Sequence, residues 1–193
     1  MSGAGHGHDA GHGSPENKKV ALLISVLALV LAFSETLGKS AQTAAISHNI
    51  EASNLWSFFQ AKTIRMTTLR TATEQAELEL KRAADPKTRE VLESRIGSWR
   101  KSVERYDSEP ETGEGRKQLA ARAKAAEQKR ERTLAAYHHY ELASAAVQIA
   151  IVLASAAIIT TMMWLTWVAG ALGVLGVIFC LIGFFAPTAV HLF

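Results

Sequence analysis

A disulfide framework and a multi-cysteine metal site are both closed to a single copy of this chain, because it contains one cysteine, Cys180, inside an apolar run. Proline is nearly as scarce. Its four residues stand at 15, 86, 110 and 187, so long stretches have no residue that must break a helix. Charge is missing from one whole end: after Arg132 there is no Lys or Arg, and Glu141 is the only acid. All but two of the 21 Lys and Arg lie between Lys39 and Arg132. The formal charge of +3 therefore says little about partners. Acids and bases interleave in the middle, which suits a solvated helical surface and argues against nucleic acid as a partner. Also absent are a Ser-His-Asp set, a Gly-rich phosphate loop and paired intramembrane carboxylates. No enzyme activity and no cofactor are expected.

What is present is apolar sequence at both ends of a charged middle. Residues 20–37, about eighteen, sit at the low end of the length that spans a roughly 30 Å hydrocarbon core. Lys18-Lys19 before the run and Ala32-Phe33-Ser34 within it also fit a secretory signal. The anchor reading is preferred, because helical sequence continues through that site. Glu35 and Lys39 place opposite charges on one helix face at the span's end. Residues 142–163 and 165–186 form two further apolar spans, divided by Trp164-Leu165-Thr166-Trp167 and closed by Pro187. The turn between them is too short for anything but antiparallel neighbours.

The middle reads as helix throughout. Positions 41, 44, 48, 52, 55, 59, 62, 66, 69, 73, 76 and 80 follow spacings of three and four, a coiled-coil-like seam interrupted at His48, Lys62 and Thr73. Trp56, Phe58 and Ile64 widen its apolar face. Asp85-Pro86 supplies a cap and a first helical residue. The helix it opens carries Leu92, Ile96, Trp99, Val103 and Tyr106, and stops at a loop over residues 109–115. The next seam runs through Leu119, Ala123, Ala126, Arg130, Leu134, Tyr137 and Tyr140. At 1.5 Å per residue the outgoing polar helix covers about 65–70 Å, and the two returning pieces about 33 and 40 Å. The lengths match. The expected fold is an all-α membrane protein: a tail (1–17), span one (18–38), a long antiparallel helical-hairpin stalk (39–141), and two closing spans.

Three groups of residues are candidates for chemistry or contact. His6, His8 and His12 in the Gly-rich tail could hold a metal ion loosely, since imidazole suits Zn, Cu or Ni. The plainer reading, a polar low-complexity tail, is favoured because nothing nearby would fix the ring tautomers. Trp56, Phe58, Phe59, Gln60, Lys62 and Trp99 exceed what a two-helix stalk can bury by itself, which predicts an interaction surface and a homo-oligomer. In the spans, Ala169, Gly173, Gly176, Cys180 and Gly183 form one small-residue stripe, and Ala146, Ala150, Ala154 and Ala157 another. Small residues permit close helix approach in lipid, so one stripe is expected to serve a contact within the chain and the other a contact between chains. Gln148 is expected to seek an interhelical hydrogen bond. Its alternative is a place in a pore lining.

The stretches 54–65 (Asn-Leu-Trp-Ser-Phe-Phe-Gln-Ala-Lys-Thr-Ile-Arg) and 148–156 (Gln-Ile-Ala-Ile-Val-Leu-Ala-Ser-Ala) resemble the uncharacterised bacterial membrane proteins grouped as domain-of-unknown-function family 4337. The resemblance covers about 18–185 and implies one span, a helical middle and two closing spans. Members often have a basic turn between the last two spans, which implies a cytoplasmic turn and an external middle. Here that turn is Thr160-Thr161-Met162-Met163-Trp164, a departure. The resemblance implies no activity, substrate or catalytic residue. Lys18 and Lys19, ahead of the first span, independently favour a cytoplasmic N-terminus and a periplasmic stalk. The expected function is a structural or scaffolding homo-oligomer of the bacterial inner membrane, or an accessory part of a larger complex there. A channel or small-solute conduit and metal handling by the tail are the alternatives. Membrane lipids are the remaining expected partner.

Overall fold

A computed structural model of the chain describes residues 15–189. Four helices make up nearly all of it: α1 (Pro15–Arg82), α2 (Pro86–Asp107), α3 (Arg116–Thr160) and α4 (Trp164–Phe185). No strand occurs among the described residues. Three of the helices, α1, α3 and α4, are long and apolar enough to cross a membrane.

The helix ends follow from local chemistry. Pro15 suits a first helical position and Glu16 complements the positive end of the helix dipole. Residues 15–17 are therefore helical, where composition had placed them in the tail. The single internal glycine of α1, Gly38, sits where an added Cβ would touch Tyr140 Cβ at 3.4 Å. At the far end Lys81 and Arg82 complement the dipole, and Arg89 Nη1 donates to the carbonyls of Leu80 and Ala83, both at 3.4 Å. Asp85 caps α2 by accepting from Thr88 N at 3.0 Å and from Thr88 Oγ1 at 2.7 Å, with Pro86 in the first turn. The Thr88 hydroxyl bond, then the Thr88 amide bond, hold the Asp85 carboxyl below its usual range. Between α3 and α4 the chain reverses through Thr161, a β-branched residue at φ 59°. Span two thus ends at Thr160, short of the expected 163.

The chain forms two compact units. One joins Met1–Gln42 to Arg132–Phe193 and the other is Thr43–Glu131.

The core of the first unit consists of Val20, Leu27, Val147, Ala150, Ala154 and Ala169. The α4 stripe lies on both neighbours. A Cβ added at Gly173 would strike Leu27 of α1, one at Gly176 would strike Val147 of α3, and one at Gly183 would meet His139 and Tyr140. Ser34 and Cys180 are hydrogen-bonded at 2.9 Å. Large apolar side chains point outward from the same segments, among them Leu22, Phe33, Val152, Ile159, Val174 and Phe184. A surface this apolar is stable facing lipid and aggregation-prone facing water.

In the second unit Ala52 and Leu55 of α1 pack on Leu119, Ala123 and Ala126 of α3, flanked by Trp56 and Phe59. Every position of the expected α1 seam is buried or half-buried. Two details differ. Ala45 is buried more deeply than Ala44, and Ile64 is 67 % exposed, although its neighbours read as one widened apolar face. In α3, Leu134 is 40 % exposed while Thr133 and Ala136 are half-buried, so its seam passes one residue to the side of the expected line.

Candidate interaction site

Lys62 is the most constrained charge outside the apolar spans. Its side chain is only 7 % exposed, and the ammonium lies 5.3 Å from the Phe58 ring centroid and 5.2 Å from that of Tyr106. Two carboxylates stand beyond the rings, Glu109 at 3.8 Å and Glu114 at 3.7 Å. A desolvated ammonium needs such surroundings: aromatic faces contribute quadrupole attraction and the carboxylates supply countercharge. The lysine comes from the middle of α1, Tyr106 from the last turn of α2, and both acids from the α2–α3 connection.

The connection itself is shaped by small local bonds. Gln118 accepts from Glu109 N at 3.2 Å and donates to Ser108 Oγ at 3.1 Å. A Cβ at Gly115 would run into the backbone at Glu109 and Ser108, so this position admits only glycine without a shift of the loop. Gly113 has φ 70°. Next to it, Asp107 receives Lys117 Nζ at 2.8 Å and faces Arg116 at 3.6 Å. The Lys117 hydrogen bond holds the Asp107 carboxyl below its usual range, with the charges of Lys117, Arg116 and Arg70 adding to it and partial burial opposing.

One turn before Lys62 the same motif makes two more ties. Trp56 Nε1 donates to Glu127 Oε1 at 2.8 Å and its ring meets Phe59 edge-on at 5.4 Å. The Arg116 guanidinium lies 4.9 Å from the Phe59 ring centroid and donates to Met66 Sδ at 3.5 Å. Of the expected interaction residues, Trp56, Phe58, Phe59 and Lys62 thus come together, and they clasp α1 to α3 and to the α2–α3 connection within one chain. Gln60 is exposed and takes no part. Trp99 is half-buried elsewhere, with Arg95 at 5.8 Å from its ring. Tyr106 was expected only as a seam position of α2, and Glu109, Glu114, Arg116 and Glu127 were not anticipated as contact residues. The acidic run over residues 107–114, with no charged seam of its own, was the available signal.

In the first unit Gln148 Nε2 donates to Glu35 Oε1 at 3.2 Å, and both side chains are exposed on the single chain. Ala150, Ala154, Ala169, Gly173, Gly176 and Gly183 are all buried in the one chain. Both small-residue stripes are accordingly covered within the chain, where one had been expected to face a second copy. The two adjacent histidines diverge. His139 is buried against Pro187 O at 3.2 Å and stacked on Phe179, whereas His138 lies 3.8 Å from Glu141. His6, His8 and His12 lie outside the described residues, among which no group of three or more His, Cys, Asp or Glu is placed to hold a metal ion.

A family model described as Domain of unknown function (DUF4337) matches residues 16–186. No curated protein and no solved structure matches the chain.

Proposed function

Because the chain belongs to the DUF4337 family, whose description names no activity, we propose from its own residues a non-enzymatic membrane scaffold. The protein sits in the bacterial inner membrane as a homo-oligomer or as an accessory part of a larger membrane complex. The observation that carries this reading is the clasp around Lys62 and Trp56. The most distinctive side chains of the middle region are engaged in fixing helices to one another, the investment expected of a rigid strut.

The strut is an antiparallel, coiled-coil-like hairpin. Contacts fall in descending order along the partner strand: Asn49 with Arg130, Trp56 with Glu127, Met66 with Arg116 and Glu77 with Arg100. Lengths support it, since the α1 portion from Thr43 covers about 60 Å while α2 and the α3 portion before Arg132 cover about 33 and 24 Å. Lys18 and Lys19 keep the amino-terminal end cytoplasmic and the strut periplasmic. An exposed Glu35–Gln148 pair is costly against lipid, and a neighbouring copy would cover it. Native mass measurement in mild detergent, with pull-down from native membranes, tests the proposal. Oligomers or a constant set of co-purifying membrane proteins are expected. A protein recovered only as a lone monomer overturns it.

A channel or small-solute conduit is the second reading, favoured by that same exposed polar pair. It predicts conductance in proteoliposomes that Gln148→Leu abolishes. Conductance unchanged by the substitution removes its support.

A further inference from the structure

We propose that the outward face of α1 between Ile46 and Leu78 is the self-association surface of the protein, pairing in parallel with the same face of a second copy. The proposal rests on the homo-oligomer reading above and locates its contact.

Ile46, Ile50, Ile64 and Leu78 are 57, 54, 67 and 54 % exposed. They lie on one helical stripe, linked at spacings of three and four by Ser, Gln or Thr at positions 53, 57, 60, 67, 71 and 75. That stripe is on the side of α1 away from the inner seam of Ala52, Leu55, Lys62 and Met66. It carries no charged residue at any of its ten positions. Two of its four hydroxyls are already bonded within the helix: Ser57 Oγ donates to Ser53 O at 2.9 Å and Thr67 Oγ1 to Thr63 O at 3.0 Å. Ser53, Gln60, Thr71 and Gln75 each carry both a donor and an acceptor, so against the same residues of a second copy they can bond to one another.

The other outward faces of the same unit are different in kind. α2 exposes Lys87, Glu90 and Lys101, and α3 exposes Arg122 and Lys124. Docking the α1 stripe on either would bury cations without partners, a strongly unfavourable arrangement. The one face of this unit that it can meet without that penalty is its own equivalent, which makes the contact isologous. Two copies anchored in one membrane by the same end of α1 bring these faces together in parallel, residue against like residue. The stripe is about 48 Å long and about 10 Å wide. It offers on the order of 500 Å² per copy, about 1,000 Å² in all, the lower bound for a specific interface.

The test is cysteine crosslinking in the full chain with Cys180→Ala, purified in mild detergent and oxidised with copper-phenanthroline. Ser57→Cys and Ile64→Cys are expected to give a species of twice the chain mass, and the control Arg122→Cys none. In a separate variant, Ile64→Glu is expected to weaken association at least tenfold with unchanged helix content. Oligomers by native mass that crosslink only at Arg122→Cys overturn the assigned face and leave the oligomer reading intact, as do oligomers indifferent to Ile64→Glu. Monomers throughout overturn both. An Ile64→Cys adduct in membranes whose mass is that of a different protein also overturns the self-pairing.

Discussion

Gln148 Nε2 and Glu35 Oε1 meet at 3.2 Å across two membrane-length helices. Gln148 is the one amide in its apolar run, and in lipid the alternative to this bond is an unsatisfied amide beside a carboxylate. Gln148→Leu is therefore expected to lower stability in detergent by about 0.6–2 kcal/mol, the range of interhelical polar bonds in membranes. Glu35→Gln keeps an acceptor and is expected to change it less. Unfolding by SDS titration in mixed micelles reads both, and a Gln148→Leu protein as stable as the parent contradicts the pairing.

Acid should loosen the α2–α3 connection. Asp107 is held below its usual range by Lys117 first, so its carboxylate favours the folded state. A folded-state value below the unfolded one contributes stability that is complete above the unfolded range, near 4. That contribution fades as pH falls through the folded value. Urea midpoints measured from pH 7 to pH 3 are expected to decline at the acid end. Asp107→Asn should start lower at pH 7 and show a shallower decline; parallel curves would exclude the linkage.

Gly115→Ala places a methyl group against the backbone of Glu109 and Ser108. The loop has to move, at about 1–3 kcal/mol by analogy with overpacked sites, and the movement carries Glu109 and Glu114 away from Lys62. Gly97, with nothing within 4 Å of an added Cβ, is the matched control. Its replacement by alanine in the middle of α2 should stabilise the helix by about 0.5–1 kcal/mol. Thermal unfolding followed by circular dichroism separates the two directions.

Thr161 is expected to be improvable. A β-branched residue at φ 59° lies in the left-handed region, at roughly 1–2 kcal/mol relative to a right-handed residue. Its hydroxyl bond to Thr160 O at 2.6 Å offsets part of that. Thr161→Asn, which tolerates this region, should raise stability by about 0.5–1 kcal/mol, seen as a higher midpoint in detergent. A lower midpoint would assign the threonine a role beyond the turn.

These sites divide by how local their determinants are. The α1 seam, the Asp85-Pro86 start of α2 and the small-residue stripes were legible because each depends on spacing within one helix. Family membership was legible in residues 54–65 and 148–156. The partners of Lys62 were not, since Glu109 and Glu114 are some fifty residues away in sequence and periodicity carries no pairing information. The role of the exposed aromatics was misjudged for the same reason: Trp56 and Phe59 looked unsupported until Glu127 and Arg116 came against them. Ile64 failed differently. It is apolar and close in sequence to the inner seam, yet its angle on the helix turns it outward, and counting apolar residues in a window does not register that angle.

Lys62 offers the sharpest test of the clasp. Lys62→Met keeps an unbranched apolar stem against Phe58 and Tyr106 and removes only the charge. What is left is Glu109, 20 % exposed and still 3.8 Å from Arg105, and Glu114, 51 % exposed, without its cation. Breaking a fully buried pair costs about 3–5 kcal/mol, and solvent at the two acids reduces this, so about 1–3 kcal/mol is expected. Glu114→Gln alone, at the more exposed partner, should cost less than about 1 kcal/mol. Adding it to Lys62→Met should recover part of the loss, because the second change removes a carboxylate that has lost its counterion. A double-mutant cycle in urea reads the coupling directly. Strict additivity would mean that the ammonium and the Glu114 carboxylate do not interact, and that Glu109 and the aromatic faces hold Lys62 in place.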